Sequence, residues 1–349
     1  MSGPRKPRVA LFAAPESSPA IVFGLYDVLS SVGAVYLDMT TGEPGEPLLD
    51  LSIVATQAEP FRCFGNVLIE PGAAIDDADD YDVIIVCDLY TPITTAPRGR
   101  YAREATWIRR MHARGSLIAS VCTGSLLVAE AGLLEGRTCA GHWAYADLFG
   151  SEYPGVTFDV AAILVLGTET DGVITAAGVT AWQDLALHLI ARLCGPEHAI
   201  RTAKVHLMTG HQDGQLPYAA LVRRTDSKDA TIVRAQEWIS ANYATDNPVA
   251  AMVERSALLP RTFGRRFLAA TGRRPMEYVH DIRIDEARSI LESSSIAVDE
   301  VGFSVGYQDP TFFRRLFKRK TGLTPAAYRR KFAAIAPYAD WSATGLAAG

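Results

Sequence analysis

Apolar residues follow two rhythms along this chain, and the change near residue 230 divides it. In the first part, short continuous apolar runs occur at residues 9–13, 52–55, 83–87, 117–121, 163–165 and 173–175. Between them lie stretches with an apolar residue every three or four positions, at 20–32, 101–113, 124–131, 144–149 and 180–193. Continuous apolar runs of this length predict strands buried on both faces, and the interleaved stretches predict helices that cover them. The expected fold is α/β, a doubly wound and mostly parallel sheet. Gly195-Pro196 punctuates its end, a helix is expected at 197–208, and a Gly/Pro-containing stretch follows at 211–217. The polar segment 223–229 reads as a linker, and residues 41–47 as a surface loop. After residue 230 the strand signals stop. Helical periods at 232–243, 249–256, 261–270, 276–292, 298–305, 311–320 and 326–332 predict an all-α domain. The domains expected are therefore 1–195, a helix and linker at 196–229, a helical domain at 230–333, and a tail at 334–349.

The helical part repeats itself. Phe263, Arg265, Phe267, Thr271-Gly272, Pro275 and Tyr278 recur 50 residues later as Phe313, Arg315, Phe317, Thr321-Gly322, Pro325 and Tyr328. Upstream the offset is 49, which aligns Val249 with Val298 and Ala257 with Gly306. Each copy reads as a short helix, a tight turn and a second helix, spanning about 249–271 and 298–321. Asn247-Pro248 and Asp309-Pro310 each supply a capping side chain before a proline at the first helical position. Gly272 and Gly322 stand where a left-handed residue ends a helix. The Phe263/Phe267 and Phe313/Phe317 pairs, one turn apart, would anchor each second helix. The opposite face would present Arg261, Arg265 and Arg266 in one copy, and Thr311, Arg314, Arg315 and Lys318 in the other. Such side chains suit phosphates and the guanine edge in a major groove.

Charge supports this division. The net charge is −5, yet residues 228–335 carry 18 Lys and Arg against 12 Asp and Glu, a surplus of six. Residues 1–227 carry 16 against 26. A basic module joined to an acidic body fits a DNA reader whose other domain does not touch DNA. No apolar run reaches the about 18–20 residues of a membrane span. Five cysteines, without CxxC spacing, argue against a disulfide framework or a zinc site and for a reducing cytoplasm. No phosphate loop or metal spacing appears, so no cofactor is expected.

The stretch 231–332 resembles the AraC/XylS DNA-binding domain. Val298-Asp-Glu-Val-Gly-Phe-Ser-Val-Gly-Tyr-Gln-Asp-Pro-Thr-Phe-Phe-Arg-Arg-Leu-Phe-Lys-Arg, followed by Thr321-Gly-Leu-Thr-Pro-Ala-Ala-Tyr-Arg-Arg, carries that resemblance. It implies that the second helix of each motif enters the major groove and that residues 276–292 space the two. The base-facing positions implied are Arg261, Gly264 and Arg265, then Pro310, Thr311, Arg314 and Arg315. Two departures stand out: Gly264 brings no side chain, and Val253 and Gly302 replace a usual alanine.

In the first domain, residues 117–121 lead into Cys122-Thr123-Gly124-Ser125, a strand, sharp turn and helix. Such an elbow lifts a cysteine to a helix N-terminus, where the dipole favours thiolate. His142-Trp143 follows and is within reach in sequence. The arrangement resembles the PfpI-like branch of the class I glutamine-amidotransferase superfamily, with a flavodoxin-like fold. Fused to an AraC-type domain, it resembles the GlxA-type transcriptional regulators. Catalysing relatives place a carboxylate near the cysteine; here Ile21 takes that position, Glu16 is the nearest acid, and Cys87-Asp88-Leu89 replaces a frequent Gly-Gly pair. The resemblance implies a regulator whose first domain binds a small effector, through a pocket including Glu16, Cys122, Thr123 and His142, and forms a homodimer. Its partners would be double-stranded promoter DNA and, for an activator, RNA polymerase. The alternative is a cysteine-dependent amidase or hydratase using Cys122, with a DNA-binding domain attached.

Overall fold

The computed structural model describes residues 5–78, 80–168, 172–220 and 229–333, and it divides into two compact units at Gln215/Leu216. Most of the expected linker 223–229 and the tail 334–349 lie outside the described residues.

The first unit is built on a seven-stranded sheet: β1 Arg8–Phe12, β2 Asp50–Ala55, β3 Ala73–Ala74, β4 Val83–Val86, β5 Leu117–Val121, β6 Leu164–Leu166 and β7 Val173–Ala176, in the order β6-β7-β5-β4-β1-β2-β3. Every pairing is parallel except β6 with β7. The central order β2-β1-β4-β5-β7 is the doubly wound arrangement expected. Along β1, Val9 and Leu11 enter one apolar cluster while Ala10 and Phe12 enter the other. Both faces are thus covered, which is why these strands read as unbroken apolar runs. Helices α1 Pro19–Ser30, α6 Trp182–Cys194 and α7 Pro196–Val205 pack on the first face. Helices α3 Ala102–Ala113, α4 Gly124–Glu130 and α5 Ala146–Glu152 pack on the second. A short helix, α2 Val35–Thr41, precedes the loop expected at 41–47 and was not foreseen.

Part of the segment expected to be helix and linker belongs to this first unit. Helix α7 buries Ala199 and Thr202. The Gln215 side chain, 3% exposed, donates to the carbonyls of Gly141 and Ala162 and accepts from Trp143 N.

The second unit is helical among its described residues: α8 Ala230–Asn242, α9 Pro248–Ser256, α10 Pro260–Thr271, α11 Pro275–Ser293, α12 Val298–Ser304, α13 Pro310–Thr321 and α14 Pro325–Ala333. The 50-residue repeat is visible atom by atom. Thr271 Oγ1 donates to Phe267 O and Thr321 Oγ1 to Phe317 O. Phe267 meets Tyr278 edge-on at 5.4 Å, and Phe317 meets Tyr328 at 5.4 Å. Each copy closes its own core, one around Phe263 and Phe267, the other around Phe313 and Phe317. Gly272 and Gly322 adopt the left-handed caps expected. Asp309 accepts from Thr311 N at 2.8 Å, as an N-cap should. Asn247 does not: it is left-handed, at φ 50°, and its side chain caps nothing. Gly302 has a packing reason, since a Cβ there would lie 2.8 Å from the Phe313 ring.

Candidate functional site

A helix advances about 100° per residue, so residues three, four and seven apart share a face. On α13, Thr311, Arg314, Arg315 and Lys318 form one such exposed row opposite the buried Phe313, Leu316 and Phe317. Arg315 is braced: its guanidinium lies 5.8 Å from the Phe312 ring, Phe312 packs on His280, and His280 stacks on Tyr307 at 10°. A braced arginine loses less conformational freedom when it forms a bidentate hydrogen-bond pair. Arg314 is held by Asp299 of α12 at 2.5 Å. Pro310 occupies the first turn, where it starts the helix.

On α10 the equivalent row is Arg261, Gly264, Arg265 and Leu268. Arg261 and Arg265 are exposed, Gly264 faces open space, and Leu268 is 44% exposed where the second copy has Lys318. These residues line a groove with Thr262, Arg274 and Pro275. Arg266 is a correction to the sequence reading. It is equivalent to the buried Leu316, about 100° off the exposed row, and it grips Asp229 with Nε at 2.8 Å and Nη2 at 2.6 Å. Asp229 in turn accepts from Thr231 N and Ile232 N at the start of α8. The 50-residue register alone would have placed Arg266 beside the core.

In the first unit, the chemistry-bearing loops follow the carboxyl ends of β1, β4 and β5, the edge where doubly wound sheets receive ligands. Cys122 sits at φ 57°, a conformation costly for any residue but glycine, so the elbow is present. Gly124 permits it, because a Cβ there would lie 2.5 Å from Val86 O and 2.6 Å from Cys87 O. Thr123 Oγ1 accepts from Leu89 N at 3.0 Å, joining the two loops.

The expected thiolate is not favoured. Cys122 is 5% exposed, and burial, seconded by the charge of Asp88, pushes its thiol up to about 12. The hydrogen bonds from Thr123 pull the other way and lose. Helix α4 has only seven residues to offer. Glu16 pairs with Arg100 instead of meeting the cysteine. His142 accepts from Ala144 N through Nδ1, packs at a tilt against Trp143 and meets Tyr145 edge-on, and burial lowers its pKa. Among the described residues no hydrogen bond joins His142 to Cys122.

Asp88 is the residue sequence reasoning set aside. It is 8% exposed, it accepts from Ser18 N at 2.8 Å, and burial lifts its carboxyl to about 6. Its charge raises the thiols of Cys63, Cys87 and Cys122 alike. Thus the carboxyl whose charge acts on the cysteine comes from the loop after β4 and not from α1. An acidic residue ending an otherwise apolar run was the available signal. Among the described residues no group of three or more His, Cys, Asp or Glu is placed to hold a metal ion, and no single helix is long and apolar enough to cross a membrane.

Residues 38–192 match the DJ-1/PfpI family, and residues 252–331 match a helix-turn-helix domain family. The HTH-type transcriptional regulator CdhR of Pseudomonas aeruginosa is 25% identical over 293 residues, which cover 82% of this chain and 83% of that protein. The HTH-type transcriptional regulator GlxA of Rhizobium meliloti is 25% identical over 229 residues, covering 65% and 69%. Isonitrile hydratase of Pseudomonas putida is 28% identical over 176 residues, covering 50% of this chain and 67% of that enzyme.

Proposed function

We propose that this chain, an AraC-type transcriptional regulator of the GlxA kind with a DJ-1/PfpI domain, reads promoter DNA chiefly through α13 and senses a small effector at the Asp88–Cys122 edge of its sheet. The observation that carries the reading is the pair of matched exposed rows on α10 and α13. Two copies fold around separate cores, yet both leave arginines pointing outward at equivalent positions, Arg265 and Arg315. Arg261, Arg265, Thr311, Arg314 and Arg315 are assigned to base edges, and Lys318 to a phosphate. Pro310 and Gly264 set close backbone approach, and Arg266 is reassigned to holding α8. The protein acts in the cytoplasm, as a homodimer joined through the first unit, with RNA polymerase as partner if it activates.

To the effector site we assign Asp88, Cys122 and Thr123, together with His142 and Glu16. The buried thiol, whose ionisation the charge of Asp88 opposes, favours a binding role over nucleophilic catalysis. A second reading rests on Asp88: a carboxyl near 6 beside a cysteine is also suited to moving a proton. Two assays test these readings. Gel-shift and footprinting on duplexes selected by the full-length protein from a random pool should give a specific site, and failure to select any would sink the DNA assignment. Turnover of simple amides or isonitriles, abolished by Cys122→Ser, would favour the enzyme instead.

A further inference from the structure

The two helix-turn-helix copies do not share a core. One cluster gathers Ile232, Met252, Phe263, Phe267 and Val279; the other gathers Leu291, Val301, Phe313, Leu316 and Phe317. Helix α11 runs through both and Tyr243 packs against both, and a polar tie adds to that packing in fixing the angle between α10 and α13. Asp281, at the middle of α11 and 8% exposed, is placed to do this. One of its oxygens accepts from Arg273, the residue after the glycine that ends α10. The other pairs with Lys320 Nζ at 2.7 Å, in the last turn of α13. The two cations do not correspond under the repeat: residue 323 is Leu where 273 is Arg, and residue 270 is Ala where 320 is Lys. The tie therefore belongs to neither copy and exists only between them.

Two positions along α11, Arg283 grips from the other side, since residues two apart on a helix point in opposing directions. It donates to the carbonyls of Tyr243 and Thr245, in the turn that leads into the first copy, and of Gly306 in the second. Lys320 is about 180° from the row Thr311, Arg314, Arg315 and Lys318, so it faces away from the reading surface.

We infer that Asp281 is a positioning residue for DNA recognition: by holding the ends of both reading helices, it sets the separation and twist at which the two major-groove segments must be presented. This rests on the DNA-reading assignment above. One base pair inserted between the two segments rotates them by about 36° and separates them by about 3.4 Å, which a rigid reader cannot follow. The test uses full-length protein, the duplex it selects from a random pool, and versions with one base pair inserted or removed between the footprinted segments. Wild type should lose about tenfold or more in affinity on insertion or removal. Asp281→Asn and Lys320→Gln should each narrow that loss to about threefold or less, while either contacted segment alone is bound as by wild type. Lys320→Gln is half-exposed and keeps the fold if Asp281→Asn does not. Wild-type spacing discrimination in Lys320→Gln would overturn the inference. So would a uniform loss on all duplexes with a shallower salt dependence, the behaviour of a phosphate contact. Failure of wild type to select any duplex would instead remove the DNA-reading assignment.

Discussion

Asp88→Asn should stabilise the first unit, and by an amount that grows with pH. An aspartate ordinarily titrates at 3.8, and burial lifts Asp88 to about 6. The charged form is the one penalised. Well below pH 3.8 the carboxyl is neutral in folded and unfolded chains alike, and its full contribution to stability is present. As pH rises through 4 to 6, the unfolded chain gives up its proton first, so stability falls. Above pH 6 the loss is complete at about 3 kcal/mol, two pKa units at 1.36 kcal/mol each. Asparagine keeps the oxygen that accepts from Ser18 N at 2.8 Å and removes the charge. The variant should therefore gain about 3 kcal/mol at pH 8 but only about 1 kcal/mol at pH 4.5.

Scanning calorimetry on the full chain reads this as a shift of the first unit's transition. For a unit of this size, 1 kcal/mol moves the midpoint by about 2–4 °C, so the shift is about 6–12 °C at pH 8 and about 2–4 °C at pH 4.5. An equal shift at both pH values, or a lower midpoint at pH 8, would refute the assignment of a buried, charge-penalised carboxyl. The same number bears on function. A ligand that donates a hydrogen bond or positive charge to Asp88 recovers that cost, so its stabilising effect should be larger at pH 8 than at pH 4.5.

Ala257 stands left-handed at φ 53° where the second copy has Gly306 at φ 92°; Ala257→Gly should raise the second unit's stability by about 1 kcal/mol in urea unfolding, and a loss would show the position is not strained. Gly306→Ala should cost about 1–3 kcal/mol, because its Cβ would meet Arg283 Nη2 at 2.8 Å and Ala244 at 2.9 Å. Arg315→Ala should lose about 1–3 kcal/mol on the selected duplex and little on random DNA, whereas Lys318→Ala should weaken both alike; equal losses for Arg315→Ala would contradict base reading. Iodoacetamide at pH 8 should label Cys122 at least about tenfold more slowly than a free thiol, as its raised pKa and burial require, with mass spectrometry of the tryptic peptide as the readout.

What the sequence made legible was periodic. Strands such as Leu117–Val121, buried on both faces, have no polar alternation to blur them, and the helical repeat announced itself through aromatics that must recur for each core to close. What it hid was partnership. Arg266 carries the same charge as Arg265, and only its register against the buried Leu316 reveals that it grips Asp229. Cys122 lies on a true elbow, but whether the thiol ionises depends on burial and on Asp88, which sits on a different loop and in no motif with the cysteine. Asn247 has the residue type of a cap and a backbone that prevents it from acting as one. The segment 196–215 has a linker's composition at its end, yet Gln215 plugs into three backbone groups of the first unit.

The two reading helices are similar in build and unequal in equipment, and the inequality has a direction. At two positions where the second copy offers DNA a charge the first offers none, Gly264 against Arg314 and Leu268 against Lys318, while Arg265 matches Arg315 and Arg261 stands against Thr311. The first copy's Arg266 is engaged by Asp229 at the start of α8. Affinity and register should then come mainly from α13, whose arginine is braced by Phe312, His280 and Tyr307. Helix α10 keeps Arg261 and Arg265 beside an open groove at Gly264, which allows its backbone to approach DNA closely without dictating every base. A reader built this way depends on the angle between its halves, because the weaker half contributes only when the stronger one carries it to the right place. That dependence is the reason a buried carboxylate between the two, and not a further arginine on the surface, decides how sharply the site is defined.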